Sequence, residues 1–421
     1  MDTPVCDFVR DYAQSRALRL HMPGHKGTEF LGIEGLDITE VEGADSLYEA
    51  SGIIARSEAN ASALFSCPTW YSTEGSSQCI RAMLYLVMLH ARGQGKRPVI
   101  AAGRNAHKTF LSGAALLDLE VHWLYPPEGA GYLSCQLSAE GLDDWLTGQE
   151  EKPAAVYVTS PDYLGNVADI AGLARVCRKH EVLLAVDNAH GAYLKFLPQS
   201  RHPVDLGADL CCDSAHKTLP VLTGGAYLHL SPDFPRALAA QAKSALALFG
   251  STSPSYLILQ SLDMANAYLE DYPRMLEEFL PKVESLKERL MEGGYPLYGD
   301  EPLKITLEAK GYGYYGQELA RLLHREGIVC EFADRDHMVL MLTPEIRDEG
   351  LKRLEEGLQK IPQKAPILEQ PPVFRPGRGV LSIREAMLAP SELLPARECV
   401  GRVMAAPTVG CPPAVPILVC G

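Results

Sequence analysis

The chain has no run approaching the roughly 18 consecutive apolar residues of a membrane span. Its first residues, MDTPVCDFVRDYAQSRALRLHMPGHKG, hold no long apolar segment of a secretory signal. It has no C-x-x-C, and none of its 11 cysteines stands with histidines at zinc-binding spacing. These absences argue for reduced, largely buried thiols, no metal, and a cytoplasmic protein. Positive charge is short as well: 39 Lys and Arg face 53 Asp and Glu, a net charge of −14 and a pI near 5.4. With no basic field to hold phosphates, nucleic acid and acidic membrane surfaces are excluded as main partners. A cationic small substrate is not. There is no internal repeat and no low-complexity tract. What is present is 421 residues of ordinary globular composition, 47% apolar and 22% charged, too long for one core and enough for two or three domains.

Residues 1–60 read as an N-terminal arm of the kind that wraps a partner subunit. It has a short helix over Asp7–Leu20, a tight turn at His21–Gly27 and an acidic stretch at Asp37–Asp45. Residues 61–261 alternate strand and helix. Strands are expected at Val99–Ala102, Val121–Tyr125, Ala154–Thr159, Leu183–Val186, Asp209–Cys212 and Ala226–Leu230. They are near-continuous apolar runs, as in a mostly parallel sheet covered on both faces. Residues 262–361 read as a smaller α+β domain. Its long helix runs from near Pro273 to Leu290 with Pro281 inside, and strands follow at Leu303–Leu307, Ile328–Phe332 and Met338–Leu342. Further helices are expected at Gln317–Glu326 and through Leu351, Leu354 and Leu358. Residues 362–379 are a Pro-rich linker. Residues 380–421 form a short C-terminal domain with a helix near Glu398–Ala405.

The chemistry centres on Ala208–Gly225, a short buried strand followed by Ser214-Ala215-His216-Lys217-Thr218. A lone lysine just past an apolar strand sits where a Schiff-base amine belongs, because such an amine needs a partly desolvated site. Ser72-Thr73-Glu74-Gly75-Ser76-Ser77 places hydroxyls and a glycine at a helix start, where free N–H groups favour a dianion. Asp187 ends the strand Leu183–Val186, where it can keep a pyridine nitrogen protonated. Taken singly, each has a plainer reading: a loop lysine, a helix cap, a carboxylate capping a turn. Together, in this order along the chain, they are the set that pyridoxal phosphate requires.

The motifs then become specific. They are His21-Met22-Pro23-Gly24-His25-Lys26, Asp37-Ile38-Thr39-Glu40 with Asp45, Gly103-Arg104-Asn105-Ala106-His107-Lys108, Pro161-Asp162-Tyr163-Leu164-Gly165, Asp187-Asn188-Ala189-His190-Gly191, Ser214–Thr218, Thr252-Ser253-Pro254-Ser255-Tyr256 and Pro412-Pro413-Ala414-Val415-Pro416. In these the chain resembles the Orn/Lys/Arg decarboxylase family, in its compact bacterial form. The resemblance implies the α/β fold type I of pyridoxal-phosphate enzymes, decarboxylation of lysine, arginine or ornithine in polyamine biosynthesis, and a homodimer with active sites at the subunit interface. It implies that Lys217 bonds the cofactor, Asp187 pairs with its ring nitrogen and His107 stacks on its ring. Thr73, Glu74, Gly75, Ser214 and His216 would surround the phosphate, with Ser251 and Thr252 reaching a neighbouring subunit's. Lys217 or His216 would return a proton to the substrate.

Four positions depart from the family pattern. Trp70-Tyr71 stands where Asn-Gly is usual, Asp162 where Thr is usual, and Cys411 where the tail motif usually has Tyr. The substrate's distal cation needs a carboxylate; Glu40, Glu42, Asp45 and Asp162 are the candidates. Two other readings remain open. One is a fold type I aminotransferase or other lyase, for which Arg335, Arg347 and Arg375 are the arginines available. The other is a non-catalytic, decarboxylase-like protein that binds the cofactor as a regulator.

Overall fold

The computed structural model describes residues 1–126, 131–371, 374–375, 377–407 and 409–421. Part of the expected Pro-rich linker, at 372, 373 and 376, therefore lies outside the described residues.

A seven-stranded sheet forms the centre of the molecule, in the order β1-β7-β6-β5-β4-β2-β3. Its strands are β1 (Thr69–Ser72), β2 (Val99–Gly103), β3 (Glu120–Leu124), β4 (Ala155–Thr159), β5 (Leu183–Asp187), β6 (Leu210–Asp213) and β7 (Ala226–Leu230). From β6 across to β3 every pairing is parallel. β7 runs antiparallel to both of its neighbours, β6 and β1. Double reversal leaves β1 pointing the same way as β6, so the C-terminal ends of six strands open along one edge. Ligands bind at such an edge in α/β sheets.

The strands form because they are buried on both faces. β2, β4, β5 and β6 are apolar almost throughout, and helices cover each side. Ser76–Gly93 and Lys108–Leu117 pack Ile80, Met83, Leu84, Val87, Phe110 and Leu111 on one face. Ile170–Lys179 packs Leu173, Ala174 and Cys177 on the other. The expected strands lie within a residue or two of those observed. β1 falls outside the expected strands: it is a four-residue edge strand in a polar-aromatic stretch with no alternation to mark it.

The second sheet is antiparallel throughout, in the order β10-β11-β9-β8. It comprises β8 (Leu297–Tyr298), β9 (Lys304–Glu308), β10 (Phe332–Ala333) and β11 (His337–Met341). The helix Tyr272–Glu292 runs on through Pro281 and buries Leu276, Phe279, Val283, Leu286 and Leu290 against Ile305, Leu307, Met338 and Leu340.

Three expectations need correction. The strand expected over Ile328–Phe332 reduces to Phe332–Ala333, because Val329 is exposed and its neighbours have no strand partner. The first helix spans Pro4–Gln14 and stops short of Leu20; Leu18 and Leu20 are exposed. No helix forms over Glu398–Ala405, where a short 3-10 turn at Ala396–Glu398 precedes exposed Val400 and Val403. A stretch with no apolar face to bury gains no tertiary support for a helix. The tail's helix is instead Ile383–Leu388, started by a reciprocal cap between Ser382 and Glu385. Its Ile383 and Ala386, with Cys420, join the core over the helix Lys108–Leu117. Among the described residues no helix is long and apolar enough to cross a membrane.

Candidate active site

Along the open edge of the large sheet, strand ends bring together most of the chemistry expected from sequence. β5 ends at Asp187, which is buried. Its Oδ2 accepts from the Tyr157 hydroxyl at 3.1 Å and its Oδ1 from the Ala189 N–H at 3.2 Å. Burial pushes this carboxyl upward, and the nearby Lys217 amine pulls it back. β6 ends one strand away and leads directly into the one-turn helix Ala215–Thr218, which carries Lys217. Burial draws the Lys217 amine below its ordinary range, opposed by the carboxylates of Asp187 and Glu331. Its Nζ lies 2.9 Å from Nε2 of His190, which follows β5.

His107 caps the helix Lys108–Leu117, its Nδ1 accepting the Thr109 N–H at 3.1 Å. That bond fixes the ring's orientation. Burial first, then the neighbouring cations Lys217, Lys108 and Arg81, push its imidazole down to about 4, so it is neutral at neutral pH.

One cavity is lined by His107, Asp187, His190, Lys217, Thr159, Tyr163 and Glu331, with Cys411-Pro412-Pro413 along its wall. The tail is pinned there because the Ala414 carbonyl accepts the Lys108 N–H and Arg104 donates to the carbonyls of Pro416 and Ile417. A larger cavity of about 660 Å³ lies at β3, but none of the expected site residues lines it.

The second part of the site is a helix start. β1 ends at Ser72, and Gly75 precedes the helix Ser76–Gly93, which no side chain caps. Gly75 has φ +73°, and a Cβ there would stand 3.9 Å from the Ser77 nitrogen, over the first turn. Hydroxyls ring this turn: Ser214 bonds Ser76 at 2.7 Å, and Ser77 and Thr109 are 3.2 Å apart. Uncapped N–H groups ringed by hydroxyls, beside a bare glycine, suit a phosphate dianion. The Thr159 hydroxyl, buried and with no partner among the described residues, lines the adjoining cavity. A neutral ring, a strand-end carboxylate, a buried amine and an anion cradle are the donor set pyridoxal phosphate needs.

Other expected residues are elsewhere. His216 does not line the cavity; its ring meets the Gly225 carbonyl at 3.1 Å. The Asp45 carboxylate accepts the backbone N–H groups of Ser46, Ser51, Gly52, Ile54 and Ala55, and so caps the helix Ile53–Phe65. Asp162 closes its own loop, accepting from the Leu164 and Asn166 N–H groups and the Asn166 side chain. Glu40 accepts the Thr39 hydroxyl, and like Glu42 it is absent from the cavity wall. The Ser251 N–H donates to Glu74, and both Ser251 and Thr252 are exposed. None of Arg335, Arg347 and Arg375 lines the cavity, and Arg335 pairs with Glu369 at 2.8 Å.

Sequence reasoning missed Glu331. It sits just before β10, and its Oε1 accepts the Tyr163 hydroxyl at 2.7 Å. No local signal marked it: it falls within the strand expected over Ile328–Phe332 and reaches the cavity through the β10–β11 hairpin.

The sheet order, with a lysine one strand beyond a strand-end aspartate, defines a fold type I pyridoxal-phosphate enzyme fold. The chain belongs to the Orn/Lys/Arg decarboxylase family: residues 3–298 match the model described as "Orn/Lys/Arg decarboxylase, major domain". An arginine decarboxylase of Bacillus subtilis (strain 168) is 28% identical over 100% of this chain and 91% of its own length. So is an uncharacterized protein of that strain, YaaO, over 100% of this chain and 92% of its own. The structure of lysine decarboxylase A from Pseudomonas aeruginosa superposes with a TM-score of 0.72 at 19% identity, over 85% of this chain. The chain spans 59% of that enzyme's length.

Proposed function

We propose that this protein is a pyridoxal-phosphate-dependent decarboxylase of a basic amino acid: lysine, arginine or ornithine. The observation that carries the reading is the placing of Lys217, Asp187, His107 and Glu331 on one cavity. Lys217 would hold the cofactor through its amine, Asp187 through the ring nitrogen and His107 through the ring face. Thr73, Gly75, Ser76, Ser77 and Ser214 would hold the phosphate. When bound, the cofactor supplies an electron sink for the pair left on the α-carbon as carbon dioxide departs.

The chain's own residues do the rest. Asp187, whose carboxyl is pushed upward by burial and drawn back by Lys217, would hold a proton on the group it faces. The tail segment at Cys411–Pro413 walls the cavity. Lys217 is the residue placed to return a proton to the substrate, since His216 lies off the cavity wall. Glu331 offers the carboxylate that a distal ammonium or guanidinium requires. Among the described residues no arginine lines the wall to clamp an α-carboxylate in the manner of an aminotransferase. The exposed apolar residues of the arm, Leu18, Leu20, Phe30 and Leu31, and the exposed Ser251-Thr252 turn support a homodimer built around the site.

A screen of lysine, arginine and ornithine with added pyridoxal phosphate tests the reading. Carbon dioxide release without any need for a 2-oxo acid is the expected result. Amine transfer dependent on a 2-oxo acid would replace it with the aminotransferase, and cofactor binding with neither reaction would leave the regulator.

A further inference from the structure

A charged pair is buried behind the cavity. Glu301 and Lys304 flank Pro302-Leu303 at the entry to β9, and their side chains are each 1% exposed with the charges 2.7 Å apart. Buried pairs of this kind stabilise little and often lose to apolar replacements, so their use here calls for another reason. Around the Lys304 ammonium, with its three N–H donors, stand two acceptors, the Asp162 carbonyl at 3.2 Å and His190 Nδ1 at 3.4 Å. Glu301 Oε2 is its ion-pair partner and, among the described residues, takes no hydrogen bond. His190 in turn reaches Lys217 through its other nitrogen.

We propose that Lys304, anchored by Glu301, is a positioning residue that fixes His190 as its Nε2–H tautomer and so holds Lys217 as the free amine. The inference rests on Lys217 being the cofactor-binding lysine. An ammonium offers no lone pair, so His190 must accept at Nδ1. Burial and the adjacent Lys304 keep this imidazole neutral, and a neutral imidazole has one N–H and one lone pair. The N–H is therefore on Nε2, facing Lys217 Nζ. A donor at 2.9 Å requires an acceptor, and an amine accepts only when it is unprotonated.

The other charged and titratable groups around Lys217 are known. Asp187 and Glu331 favour its ammonium, as does Cys411 when ionised; Lys304 opposes it. His107, His216 and Tyr163 also stand around it. Burial pushes Glu301 upward while Lys304 pulls it down, so each partner needs the other. The relay is held rigidly, because β9 is stitched to the loop after β4. Gly165 accepts from the Asp300 and Glu301 N–H groups, and Leu164 accepts from the Thr306 hydroxyl. Gly165 itself has φ +90°, and a Cβ there would press on the Lys304 side chain at 3.2 Å.

The test uses nitrogen-15 NMR of the full-length protein before cofactor is added, with the His190 signals assigned by their loss in His190→Gln. The expected wild-type result is a protonated Nε2 and a bare Nδ1. In the double variant Glu301→Gln/Lys304→Met, which removes both buried charges together, the tautomer should shift toward Nδ1–H. Capture of pyridoxal phosphate at pH 7, followed by visible absorbance, should slow about tenfold, equivalent to one unit in the amine's titration. A wild-type Nδ1–H tautomer overturns the proposal whether or not the variant folds. So does a folded double variant with unchanged tautomer and capture rate. Wild-type protein that shows the expected tautomer but never bonds the cofactor at Lys217 sinks the cofactor reading instead.

Discussion

Lys217 is the residue on which the proposed reaction depends. Lys217→Ala should abolish the visible absorbance of the cofactor-loaded protein and lower carbon dioxide release by more than about 10³-fold, measured on folded protein. Glu331→Gln should raise KM for a basic amino acid by roughly 10- to 100-fold, the worth of one charge-assisted hydrogen bond. It should leave an uncharged isostere such as norleucine unaffected, and steady-state kinetics on the pair checks this. The neutral His107 makes a third prediction. Its folded titration lies near 4, below the unfolded value of about 6.5. Between those values the unfolded chain binds a proton that the folded chain does not, so stability is lost as pH falls through that window. Comparing urea melts at pH 7 and pH 5, cofactor-free wild type should lose roughly 2 kcal/mol more than His107→Asn, which keeps a side-chain cap. Lys217, Asp187 and His107 were legible in the sequence because each follows an apolar strand or opens a helix. Glu331 was not. Its place on the cavity depends on the β10–β11 hairpin folding back over the large sheet, and no local pattern encodes that.

Elements explain why other carboxylates misled. Asp45 stands in an acidic stretch that suits a cationic substrate, yet its oxygens are taken by backbone N–H groups at a helix start. Such capping is invisible in sequence when the cap lies several residues ahead of its helix. Asp45→Ala should cost about 2–3 kcal/mol of stability in chemical unfolding, as charge-assisted caps do, and leave KM for the basic amino acid within about twofold. A large KM change with stability intact would return Asp45 to the substrate site. The strands of the large sheet were readable because burial on both faces writes continuous apolar runs. β1, β8 and β10 were not, being short edge strands whose pairing supplies what their composition lacks. The tail helix carries a readable signal in Ser382 and Glu385, whereas the expected stretch, Glu398–Ala405, has no buried face.

At the scale of the whole molecule, the arrangement converges on a single edge. Six strand ends, the antiparallel unit that carries Glu331 and Lys304, and the tail at Cys411–Val415 all meet there. The order of motifs along the chain was enough to suggest the class of fold, because α/β topology ties sequence order to position at that edge. It was not enough to locate the far wall, which comes from the second sheet. The most direct test is carbon dioxide release from carboxyl-labelled lysine, arginine and ornithine, with norleucine as control, by protein whose cofactor is mapped to Lys217. The account predicts release from at least one basic amino acid, in equal amount to the amine formed, with kcat/KM about 10²-fold or more above norleucine. Loaded protein that releases nothing from any of the three, or treats norleucine equally well, would contradict it.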